Sequence, residues 1–234
     1  MSALINTPVV SLALVGVSRD CFPAALTARR LDALAAALQA AGIAAHRCGT
    51  IIENEEDAIA ALEEIADANC NAAVVYLGNF GPEGPTSLFA QEFWGPVMVC
   101  AAAEEDRAVL ATERGDALCG MLNCSYNLGL RQVPAYIPQY PVGLPDELVP
   151  RIAEFTGIAR VLIGLSGLKV FAFGPRPQDF LACNAPIKPL YDLGIEVMEN
   201  SELDLYQCFR RAARKSKRVR EVAADMAAEL GPGC

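Results

Sequence analysis

The chain has 234 residues, 53% of them hydrophobic and 20% charged, with a net charge of −9. This is ample apolar material for an α/β core, with a surplus that favours subunit interfaces. The negative balance argues against non-specific binding to nucleic acid or anionic lipid, and no stretch reaches the roughly 18 uninterrupted apolar residues of a membrane span.

In chain order, the start has no basic region and makes a poor signal peptide. The apolar run 9–17 predicts a parallel strand buried on both faces. Leu31, Leu34 and Leu38 mark the helix that follows, and Gly42 stops it. Residues 43–48 predict a short edge strand. Asn54 caps the next helix, with Glu55, Glu56 and Asp57 in its first turn and Ile59, Leu62 and Ile65 as its buried stripe. Residues 72–77 predict a third strand, leading into the loop 78–85, and residues 96–101 a fourth. A helix over 116–130 then leads to a fifth strand at 135–137. This alternation predicts a flavodoxin-like, doubly wound parallel sheet.

The proline-rich joint 138–145 marks a domain boundary, giving a first domain over 1–140 and the start of a second α/β domain over 141–234. That second part holds a helix over 146–164, a strand from Lys169, a Gly174-Pro-Arg-Pro177 loop, a helix and another strand ending at Val197. Ser201 and Asp204 predict a capping box. Val219, Val222, Met226 and Leu230 mark a last amphipathic helix. The second sheet looks unfinished, which suggests part of a larger protein.

Nine scattered cysteines without CxxC spacing predict buried free thiols in a reducing cytoplasm. A single histidine, His46, and the absence of HExxH or a His-carboxylate cluster leave no evident metal site in this chain. The first strand runs into Gly16-Val-Ser-Arg-Asp-Cys-Phe-Pro23, which lacks the glycines of a dinucleotide or phosphate loop. Seven basic residues and no acid lie in 210–220. They read as a solvated or partner-facing helix face, with an anion or nucleic-acid patch as the sharper alternative.

In open α/β sheets, ligands bind beyond the carboxyl ends of the strands. The candidate binding residues there are Arg19 and Asp20 after the first strand, Asn79 and Phe80 after the third, and Glu104 after the fourth. Ser18, Glu83 and Glu105 lie in the same loops, and Asn123 and Arg176 add an amide and a guanidinium. Arginine, amides, carboxylates and an aromatic face suit a polyhydroxylated ligand. The same residue types also cap helices and pair across loops.

Three motifs in order resemble the N-terminal region of the L-fucose isomerase / L-arabinose isomerase superfamily. They are Gly115-Asp-Ala-Leu-Cys-Gly-Met-Leu-Asn-Cys-Ser-Tyr-Asn127, Phe173-Gly-Pro-Arg-Pro-Gln-Asp-Phe180, and Leu193-Gly-Ile-Glu-Val197 followed by Ser201-Glu-Leu-Asp-Leu205. The resemblance implies aldose–ketose isomerisation in a homo-oligomer. It implies a divalent metal, usually manganese, in the complete protein and held outside this chain. It also implies that the first domain covers a neighbouring subunit's sugar site, with Arg19 and Phe80 as sugar-facing groups. The alternatives are a stand-alone, non-enzymatic module that binds a sugar or similar polar molecule, and an assembly domain.

Overall fold

In the computed structural model, residues 7–106, 114–174, 178–183 and 186–231 are described. The chain forms two compact units, one spanning Pro8–Ile163 and the other containing the chain from Gly164 onward. The first unit runs β1 (Leu12–Val17), α1 (Ala24–Ala40), β2 (Ala45–Ile52), α2 (Glu55–Asp67), β3 (Ala72–Leu77), α3 (Glu83–Glu92), β4 (Val97–Ala102), α4 (Ala117–Leu130), β5 (Val142–Gly143) and α5 (Pro145–Leu165). Its five strands pair in the order β2-β1-β3-β4-β5, all parallel. This is the flavodoxin-like order, whose winding reverses between β1 and β3.

Every residue of β1, β3 and β4 is buried, as their unbroken apolar runs require of strands covered on both faces. Leu31, Leu34 and Leu38 of α1 and Leu148, Ile152 and Phe155 of α5 lie in the same core. On α2 the inward residues are Ala58, Ala61 and Ile65, while Ile59 is 52% exposed. Ile65 is buried and Leu62 packs against the core as the sequence suggests, but small alanines, not Ile59, complete the stripe. Asn54 caps α2 as expected, its side chain accepting from the Asp57 N–H at 3.0 Å.

The fifth strand departs from its predicted place at 135–137. Tyr136 makes only an isolated bridge to Met98, and the ladder resumes at Val142–Gly143. Pro134, Pro138 and Pro141 supply no N–H to a ladder, which splits the pairing into two short contacts. The proline-rich segment thus carries sheet pairing, and α5 up to Ile163 falls within the first unit.

β2 lies at the sheet edge, with an irregularity in its register opposite Leu14–Gly16. There Glu64 of α2 accepts hydrogen bonds from the Gly49 and Thr50 N–H groups at 2.5 and 3.0 Å, the Thr50 hydroxyl at 3.0 Å and the Cys48 thiol at 3.1 Å. Desolvation pushes this carboxyl up, but the donors from Gly49, Cys48 and Thr50 outweigh it and hold it at about 2.

The second unit pairs β6 (Lys169–Phe173) with β7 (Glu196–Asn200) in parallel. A short turn at Leu181–Cys183 and helices α6 (Lys188–Asp192), α7 (Glu202–Ala213) and α8 (Ser216–Leu230) complete it. The capping box of α7 forms between Ser201 and Asp204 as the sequence predicts. Ile195 is the only buried residue among those described in this unit.

Eight cysteines are free among the described residues. Cys48, Cys70, Cys100 and Cys124 are buried. Burial pushes the thiols of Cys100 and Cys124 up to about 12, and burial together with Glu64 does the same for Cys48. Native alkylation at pH 8, followed by mass spectrometry, is expected to leave these four unmodified until denaturant is added.

Candidate functional site

The loops beyond β1 and β3 meet at the reversal of the winding, and Asn79 joins them. Its side chain is fully buried. Its amide oxygen accepts from the N–H groups of Arg19 at 2.9 Å and Gly81 at 3.2 Å, and its amide nitrogen donates to the Ser18 hydroxyl at 2.8 Å. One side chain therefore fixes the path of both loops. Gly81 at φ +71° supplies the left-handed turn that returns the chain into α3.

On this floor stands a half-exposed group. Arg19 donates from Nε to the Gly81 carbonyl at 3.2 Å and from its guanidinium to the Glu83 carboxylate. The guanidinium carbon lies 4.8 Å from the centre of the Phe80 ring, and Phe80 stacks on Phe22 with centroids 6.1 Å apart. A cation held over an aromatic face is pre-oriented by both partners. Asp20 is exposed beside Arg19. The assembled surface offers guanidinium donors, two carboxylates and a flat ring, all with access to solvent.

A second network underlies the first. Arg30 of α1 is 4% exposed. It donates to the Gly78 carbonyl at 2.8 Å, to Glu105 at 2.8 and 2.6 Å and to Glu104 at 2.8 Å. Burial opposes its charge, but the hydrogen bonds it donates to Glu105 and Glu104 outweigh it and raise its pKa. In return Arg30 draws the Glu105 carboxyl below its ordinary value. The other Glu104 oxygen accepts from the N–H groups of Gly115 and Asp116 at 3.0 Å each, ahead of α4. Glu104 thus ties the loop beyond β4 to α1 and α4.

Of the sequence candidates, Ser18, Arg19, Asn79, Phe80 and Glu83 come together, with Asp20 at their rim. Glu104 and Glu105 belong to the adjoining network. Asn123 sits on the exposed face of α4, where its carbonyl accepts from the Asn127 amide at 3.0 Å, and it does not join the cluster. Arg176 lies outside the described residues. Arg30 was missed, yet it had a signal: it sits four residues before Leu34 on the stripe that faces the core. The basic residues of 210–220 are exposed, with Lys217 and Arg218 near Glu221 and Arg210 over the Tyr206 ring at 5.9 Å.

No group of three or more His, Cys, Asp or Glu that could hold a metal ion occurs among the described residues. The described residues therefore offer no donor set for a divalent ion. No described helix is long and apolar enough to cross a membrane.

An all-parallel 2-1-3-4-5 sheet with a hydrogen-bonded polar cluster at its switch point defines the first unit as a flavodoxin-like α/β domain. The chain belongs to the fucose/sulfoquinovose isomerase family: the model of that family's N-terminal domain matches residues 13–166. A search of curated proteins finds no match.

Proposed function

We propose that this domain takes part in aldose–ketose isomerisation by presenting its switch-point cluster to the sugar bound by a neighbouring subunit, and that it helps hold the oligomer together. The observation that carries this reading is the way Asn79 locks Arg19 and Phe80 into one surface. Arg19 and Asp20 would hydrogen-bond sugar hydroxyls, Phe80 would meet an apolar sugar face, and buried Asn79 would set their positions. The divalent metal, with manganese the leading candidate, and the groups that move protons between adjacent carbons would lie outside the described residues. The eight free thiols support a cytoplasmic setting.

The test is isomerase activity of the native oligomer toward a sugar panel that includes L-fucose and sulfoquinovose. Arg19→Ala is expected to lower kcat/KM by about 10- to 100-fold, the loss of a charged hydrogen bond and a ring contact, while the circular dichroism spectrum stays the same. Unchanged kinetics would remove Arg19 from the sugar site. The cluster is complete within one unit, which also favours a second reading as a self-sufficient sugar-binding module. Sugar-dependent stabilisation of the isolated chain, abolished by Arg19→Ala, supports that reading.

A further inference from the structure

We infer that the outward face of α4 is a self-association surface that receives a second copy of this chain. The inference rests on the assembly part of the proposed function and names the face. Leu118, Leu122, Tyr126 and Leu130 repeat every fourth residue along α4 and are 59%, 66%, 69% and 68% exposed. The opposite side, with Ala117, Gly120, Met121, Cys124 and Leu128, is buried in the domain. A helix that is apolar on both sides has a second surface to cover.

The exposed row is an i, i+4 ridge of the kind that packs into the groove of another helix. The groove lies beside it. In the adjacent row, Ser125 turns its hydroxyl back to the Met121 carbonyl at 2.6 Å, and Gly129 has open space where a Cβ would be. Ridge and groove on one helix make a face complementary to itself, as a two-fold interface requires.

Charge identifies the occupant. Of the five described helices of the first unit, only α4 contains no Asp, Glu, Lys or Arg. Arg114 and Asp116, just before it, are paired at 2.9 Å. A second chain of net charge −9 is repelled by the acidic surfaces of the first and meets no like charge on α4. A basic foreign partner would instead be drawn to α2, with Glu55, Glu56 and Asp57 in its first turn.

The experiment is light scattering after size exclusion on the full chain, with Leu122→Arg and Leu130→Arg as parallel variants of unchanged circular dichroism. Wild type is expected to run as an oligomer, and each variant at half that mass or less. Cys119 is exposed on the same face, so its alkylation rate should rise several-fold in the variants. Two folded variants that keep the wild-type mass would overturn the α4 inference and leave the assembly reading standing. A wild-type chain that stays monomeric up to high concentration would overturn both.

Discussion

Replacing Gly120 with alanine is expected to destabilise the first unit by about 3 kcal/mol, at the upper end of what overpacking costs. A Cβ at this position would overlap the Phe80 carbonyl oxygen and lie 2.5 Å from the carbonyl carbon and 2.8 Å from Cα. All three are backbone atoms, so no side chain can swing aside. Relief requires α4 to move outward or the loop beyond β3 to shift, and that loop carries Asn79, Phe80 and Gly81. Urea unfolding would measure the loss, and Gly129→Ala provides the control on the same helix. Its Cβ would meet open space in the single chain, so with both substitutions read in the Leu122→Arg background, where the α4 face is free, it should stabilise by about 0.5–1 kcal/mol through helix propensity alone. Equal effects from the two substitutions would show that α4 does not press on the loop.

Arg30→Met is expected to cost about 1–3 kcal/mol, the range for a buried acceptor left without its donor, since Glu104 and Glu105 are 29% and 56% exposed and keep access to water. The substitution keeps much of the apolar stem but leaves the Gly78 carbonyl without its guanidinium donor and frees Glu104 and Glu105. Since Glu105 is depressed chiefly by its hydrogen bond to Arg30, its carboxyl should move back up toward its ordinary value in the variant. Urea denaturation and the NMR titration of Glu105 test the two parts separately. Adding Glu104→Gln and Glu105→Gln to Arg30→Met should recover part of the loss. The stranded charges go, while the amide oxygen introduced at position 104 can still accept from Gly115 and Asp116. A stability within about 0.5 kcal/mol of wild type for Arg30→Met, the usual span of a surface substitution, would place Arg30 outside the structural core.

The strands of the first unit were legible because β1, β3 and β4 are continuous apolar runs, and helices such as α1 and α2 carry periodic stripes or caps. β5 was displaced because the sequence places apolar residues at 135–137, while prolines on both sides limit Tyr136 to one bridge. Ile59 falls inward on its spacing with Leu62 and Ile65, yet close packing of α2 is achieved through Ala58 and Ala61. The candidate site was half legible. Polar residues in the loops after strands can be collected without knowing strand order. That order decides which loops touch: β1 beside β3 joins Arg19 to Asn79, and β4 next in line brings Glu104 and Glu105 to Arg30. The division of labour between Arg19, which faces solvent, and Arg30, which does not, depends on that adjacency.

Glu64 gives the β2 margin a further property. A sheet edge offers backbone donors to any extended segment that drifts alongside, and so can seed aggregation. Here one carboxylate already occupies two of those donors, from Gly49 and Thr50, where the strand is irregular. A stranger's strand arriving at this stretch would have to displace an anion rather than fill a vacancy. Because the carboxyl is held at about 2, the barrier to sheet growth persists through mildly acidic conditions that would protonate an ordinary glutamate.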